Sequence, residues 1–128
     1  MLEKFLETFY QTISFGHHET FKRNAFQALF MENALLIEKR GNIIITKSVQ
    51  EHIKEFEEAR IKRPDLFSMG FHEKQICYKT LSTDSFFLVE SHYKKQYTKN
   101  GHVYHEDGIN LFTLIATDHS YKICSVAW

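Results

Sequence analysis

The sequence predicts an α+β domain in which helices come first and pack on one face of a later, mainly antiparallel sheet. Two observations carry this prediction. Apolar residues recur at helix spacing near the N-terminus and again at Val49, Ile53 and Phe56. Beyond Pro64 the apolar residues instead fall in alternating or β-branched and aromatic runs, separated by turn residues such as Asn100-Gly101.

The elements follow in order. Leu2, Phe5, Leu6, Phe9 and Ile13 share one face of a first helix, with Glu3, Lys4, Glu7 and Gln11 opposite, and Gly16 is its expected stop. A second helix is expected from about His18 to Phe30, burying Phe21, Ala25, Phe26 and Leu29. Ala34–Glu38 reads as a short strand, Lys39-Arg40-Gly41-Asn42 as a turn, and Ile43-Ile44-Ile45 as the returning strand of a hairpin. Ser48-Val49-Gln50-Glu51 is a capping box, in which the Ser oxygen and the Glu side chain each satisfy a free amide at a helix start. The third helix buries Val49, Ile53 and Phe56, with Ala59 as a candidate fourth, and must stop before Pro64. Four strands complete the chain: Phe67–Tyr78, Phe86–Tyr97, a return over Val103–His105 and Ile109–Ala116, and Tyr121–Trp128. Thr80–Asp84 and Thr117–Ser120 are read as turns, and a β-bulge is expected at Asp107-Gly108. The sheet therefore has about six strands.

Composition narrows the function classes. A chain of 128 residues without repeat, low-complexity tract or Pro/Ser-rich linker predicts a single domain over residues 1–128. Lys+Arg and Asp+Glu are both 16, so the formal charge is zero. That argues against a broad nucleic-acid binder, which needs a cationic field to release counterions from phosphate. Charges interrupt every apolar stretch near Met1, so neither a signal peptide nor a membrane span is expected. Cys77 and Cys124 suit a reducing cytoplasm, with a single disulfide as the other possibility.

The eight histidines lack a metal-type spacing. His17 and His18 are adjacent, His102 and His105 face opposite sides of a regular strand, and neither HExxH nor a Cys/His cluster is present. No metal and no cofactor are expected. Twelve Phe and six Tyr either fill a core or line a cavity for an apolar ligand.

The order of elements resembles the nuclear transport factor two-like superfamily, which includes ketosteroid isomerases, scytalone dehydratase and the SnoaL-like polyketide cyclases. The resemblance spans nearly the whole chain. It is carried by Leu29-Phe30-Met31-Glu32-Asn33-Ala34, by the hairpin and the Ile53 helix, by Gly108-Ile109-Asn110-Leu111-Phe112, and by Tyr121–Trp128. These are structural patterns and none is a catalytic signature. The resemblance implies a cystatin-like cone: three N-terminal helices on a strongly curved sheet that encloses a pocket. It further implies a small, largely apolar ligand and a homodimer formed through the outer sheet face. Phe9, Phe26, Phe30, Phe56, Phe112, Leu114 and Trp128 are the expected pocket lining.

The resemblance also implies candidate chemistry. Ketosteroid isomerases carry a carboxylate base after the first strand, a Tyr on the first helix and an acid on the penultimate strand. Glu38 falls near the base position, Tyr10 or Phe9 near the tyrosine, and Asn110 near the acid, where an amide donates a hydrogen bond but supplies no proton. Polyketide cyclases and scytalone dehydratase place a His on the sheet as acid or base, and His92 resembles that residue. Each candidate has a plainer reading beside it. Glu38 precedes Lys39 and Arg40 and so fits a solvated hairpin charge, while Glu90, His92 and Lys94 fit one polar outward face. Three functions follow: a pocket that binds an apolar molecule, a cofactor-independent acid–base enzyme, or a dimerisation module.

Overall fold

The computed structural model describes residues 1–17 and 19–128. Its elements run α1 (Leu2–Ile13), α2 (Arg23–Gln27), β1 (Phe30–Arg40), β2 (Ile43–Lys47), α3 (Val49–Lys62), α4 (Pro64–Phe67), β3 (Phe71–Ser82), β4 (Phe86–Lys99), β5 (His102–Ala116) and β6 (Tyr121–Ala127). The strands form one six-stranded sheet in the order β2-β1-β6-β5-β4-β3. Every neighbouring pair is antiparallel except β1 with β6. The α+β architecture is the one the sequence predicts.

Helix α1 buries Phe5, Leu6, Phe9 and Tyr10 against the sheet, as its apolar stripe requires. It stops at Ser14 rather than Gly16. The Ser14 hydroxyl donates to the Tyr10 carbonyl at 2.7 Å, and the extended chain beyond it lets Phe15 bridge to Phe71. Helix α3 starts on the expected capping box, with the Glu51 amide donating to Ser48 Oγ and the Ser48 amide to Glu51 Oε1, both at 3.1 Å. It ends at Lys62, before Pro64.

Four expectations are corrected. The second helix covers only five residues, Arg23–Gln27, and Ala25 is exposed. The expected helix start at His18 lies outside the described residues. Its C-terminal part is lost to the sheet, because Phe30 pairs with Ile123 and Ile123 donates to the Leu29 carbonyl at 2.8 Å. Phe67 belongs to the short helix α4, which Pro64 opens from a first-turn position, so β3 begins only at Phe71 and runs through the expected turn to Ser82. No bulge occurs at Asp107-Gly108: β4 and β5 pair without a register shift from Lys99↔His102 to Phe86↔Ile115. Their hairpin turns at Asn100 and Gly101, both at positive φ, as the Asn-Gly pair predicts.

The irregularities sit elsewhere. Gln75 pairs with Tyr93 and Cys77 with His92, which leaves Ile76 as an extra residue in β3. On β6, Ser125 pairs with Thr113 and Ile123 with Leu114, which leaves Cys124 extra. Both bulges reset which residues face the helices. Val89, Ser91, Tyr93 and Lys95 of β4 point to the helix side, as do Asn110, Phe112 and Leu114 of β5. Both cysteines are free. No helix among the described residues is long and apolar enough to cross a membrane.

Candidate functional site

Between the helices and the inner sheet face lies a cavity of about 360 Å³. Phe9, Phe26, Phe56, Phe71, Tyr93 and Trp128 supply much of its wall. Polar groups enter from the two edges of the sheet: Glu38, Arg40, Lys47, His52 and Glu55 on the β1–β2–α3 side, and Glu73 and Lys95 on the β3–β4 side.

The first group is self-neutralising. Lys47 closes β2 with a side chain only 4% exposed, and its Nζ reaches Glu38 Oε1 at 2.9 Å and Glu55 Oε2 at 3.1 Å. Arg40 pairs with Glu38 at 2.8 Å and also with Glu55. Burial pushes the Glu38 and Glu55 carboxyls up, but hydrogen bonds and charge from Arg40 and Lys47 outweigh it and hold both below the usual carboxylate range. Lys47 Nζ also stands 5.4 Å from the centre of the Trp128 ring. His52 faces Trp128 edge-on, with ring centres 5.4 Å apart. Burial, and then the neighbouring Lys47 charge, push its imidazole down to about 4, and its buried Nδ1 has no partner among the described residues.

The second edge is organised by a buried chain of hydrogen bonds. Ser91 Oγ donates to Gln75 Oε1 at 2.8 Å. With that proton committed, the Tyr10 hydroxyl is the donor in its 2.7 Å contact with Ser91. Asn110 Nδ2 donates in turn to Tyr10 Oη at 3.1 Å. Burial raises the Tyr10 phenol to about 12, so it stays protonated.

Glu73 lies beside this chain and differs from every other carboxylate at the cavity. It is half-buried as a residue, but its carboxyl is packed among protein atoms and accepts no hydrogen bond among the described residues. Burial, offset only in part by Lys95, pushes it up to about 7. Lys95 itself pairs with Glu106 at 3.1 Å.

The expected site residues are distributed unevenly. Tyr10 and Asn110 do meet, through one hydrogen bond, and Asn110 lines the cavity whereas Tyr10 does not. Glu38 lines it, bound to two cations. His92 is on the outer sheet face, where Nε2 meets Glu90 Oε2 at 2.8 Å. The physical reason is phase: its neighbours Ser91 and Tyr93 take the inner positions. Of the expected lining, Phe9, Phe26, Phe56 and Trp128 face the cavity, whereas Phe30, Phe112 and Leu114 are core residues behind it. Sequence reasoning missed Glu73, His52 and Lys47. A signal for Glu73 existed, since Phe71, Glu73 and Gln75 share one face of a strand. Among the described residues, no three metal-ligating side chains gather at one point.

No family model matches the sequence, and no curated protein matches it. Solved structures do. A putative scytalone dehydratase from Novosphingobium aromaticivorans superposes with a TM-score of 0.71 at 13% identity, over 98% of this chain and 78% of that one. A protein of unknown function with a cystatin-like fold from Nostoc punctiforme gives 0.69 at 10% identity, over 98% and 85%. An NTF-2-like protein of unknown function from Silicibacter pomeroyi gives 0.60 at 15% identity, over 98% and 89%. At these identities the likeness is one of fold. The chain has the cystatin-like α+β fold shared with nuclear transport factor two-like proteins, as the order of its elements implied.

Proposed function

We propose that this protein binds a small, largely apolar molecule in the cavity under α1 and α3. One observation carries the reading: a cavity of about 360 Å³, walled by aromatic rings, that holds a carboxyl with no protein hydrogen-bond partner among the described residues. That combination suits a ligand with an apolar body and one or two polar groups. Binding is placed ahead of acid–base catalysis for a geometric reason. The Tyr10 and Asn110 groups are engaged with each other, Glu38 is paired by two cations, and His92 faces away.

The test uses the single tryptophan of the chain, which lines the cavity. Titration with a panel of small aromatic and aliphatic compounds should give a saturable change in Trp128 emission for some members. Ala59→Phe, which fills the cavity wall without adding a second tryptophan, should abolish the response to those members. A panel with no saturable response and no rise in melting temperature removes the proposal.

A second reading concerns the outer sheet face. Phe86, Leu88, Ile109 and Leu111 are each about half exposed there, at 54%, 54%, 47% and 52%. A face with four half-exposed apolar side chains, Glu90 and His92 set among them, suits association with a second copy of the chain. Sedimentation of wild type and of Leu88→Glu tests it: a dimer lost on substitution supports the reading, and a wild-type monomer throughout the micromolar range ends it.

A further inference from the structure

We propose that the β3 edge of the cavity is an ammonium-binding subsite, in which Glu73 pairs with the protonated amine of a small aromatic amine. The proposal rests on the reading that the cavity takes a small apolar guest, and adds which polar group that guest carries.

The argument starts from the charges that line the cavity. Glu38 and Glu55 each accept hydrogen bonds from both Arg40 and Lys47, so these four groups cancel. Lys95 is matched by Glu106 and lies 5.8 Å from the Tyr97 ring centre. Glu73 is the lining carboxylate left without its own counter-ion among the described residues. A carboxyl held away from water either remains protonated or acquires a cation. With Lys95 taken up by Glu106 from outside the lining, ionised Glu73 leaves this set of charges one cation short.

The surroundings of Glu73 suit that cation. Phe71 precedes it on the same strand face, and Phe56, Phe67 and Phe71 form a triangle with ring centres 5.7, 6.0 and 5.7 Å apart. Tyr93 lines the cavity from the neighbouring strand. Ring faces attract ammonium groups, most strongly where water is excluded. The fold already uses this contact elsewhere: the Arg60 guanidinium lies 4.7 Å from the Phe15 ring centre. The titratable groups that act on Glu73 are Tyr10 from α1 and Tyr93 and Lys95 from β4, with Glu106 of β5 behind Lys95, and Glu3 and Glu7 of α1 line a groove with it. Lys95 is the one cation in that set, and its attachment to Glu106 reduces its repulsion of an incoming ammonium.

Calorimetric titration with phenethylamine and its uncharged isostere phenethyl alcohol tests the proposal on the intact chain. Glu73 is raised to about 7, so the amine must meet a carboxyl that is mostly ionised above that value and mostly protonated below it. The amine should bind about tenfold more tightly at about pH 8 than at about pH 6, while the alcohol changes little. Glu73→Gln should erase both the pH dependence and the preference for the amine and leave the alcohol's affinity within about twofold. A melting curve confirms that the variant is folded. Three results overturn the subsite: an amine no tighter than the alcohol at either pH, tighter amine binding at the lower pH, or a preference that survives Glu73→Gln. If neither probe binds, the apolar-guest reading falls with it, whereas binding of the alcohol alone removes only the ammonium subsite.

Discussion

The ring of Tyr93 lies across Gly108, its direct cross-strand partner. A Cβ placed on that glycine would stand 2.8 Å from Tyr93 Cε1 and closer still to the end of the ring. The glycine is therefore the seat of a cavity-lining tyrosine and not the site of a bulge. Gly108→Ala should cost about 1–3 kcal/mol, because the ring must leave its position. In a Tyr93→Leu background the same substitution should cost well under half as much. Urea unfolding of the four members of this cycle measures the coupling.

Glu73 should make the protein less stable as pH rises. Its folded value is about 7 against an ordinary 4.5, so between these values the native state binds more protons than the unfolded chain. Stability is then lost across that window and stays low above it. Glu73→Gln should recover about 2–3 kcal/mol at about pH 8 and much less at about pH 4. Denaturation of wild type and variant at both values checks the sign as well as the size.

His52 should act in the opposite direction. Its imidazole titrates at about 4 when folded against 6.5 when free, so the unfolded chain binds more protons as pH falls between them. His52→Phe removes that acid-side loss and the unpartnered Nδ1 together. The variant should gain about 1 kcal/mol near neutral pH and more near about pH 5. Melting temperatures at the two values provide the comparison.

Lys47→Ala should be destabilising, since it leaves Glu38 and Glu55 with Arg40 alone. A loss of about 2 kcal/mol is expected, short of a fully buried pair because Glu55 opens to solvent. The Glu38 carboxyl is held below its usual range, so the stability it contributes is present near neutrality and lost as pH falls through its folded value. The difference between wild type and Lys47→Ala should therefore shrink in acid, which chemical denaturation at several pH values measures.

Helices α1 and α3 and the β4–β5 turn were legible because their signals are local. The spacing of Phe5, Leu6 and Phe9 sets the face of α1, the Ser48–Glu51 pair sets the start of α3, and Asn100-Gly101 sets a hairpin. The cavity was less legible because its makers are fixed across strands. Phe86 and Leu88 alternate with Phe87 and Val89, so β4 carries large apolar residues in both phases and hydropathy alone selects neither. Counting by twos back from Tyr78, which faces inward, puts Glu73 on the outer side; the extra residue Ile76 reverses that parity. Helix propensity over residues 28–30 gave way to pairing with β6, which no local window contains.

The Tyr10–Ser91–Gln75 chain, joined by Asn110, has a mechanical consequence. Greasy contacts between a helix and a sheet tolerate sliding, whereas these four groups fit together at one axial setting only. They pin α1 to three different strands at once. A slip of a single helical pitch, about 5.4 Å, would break every link and drive Phe9 out of the position it holds at the cavity wall. The dimensions of the hollow are thus dictated in large part by a network of which only Asn110 reaches its surface.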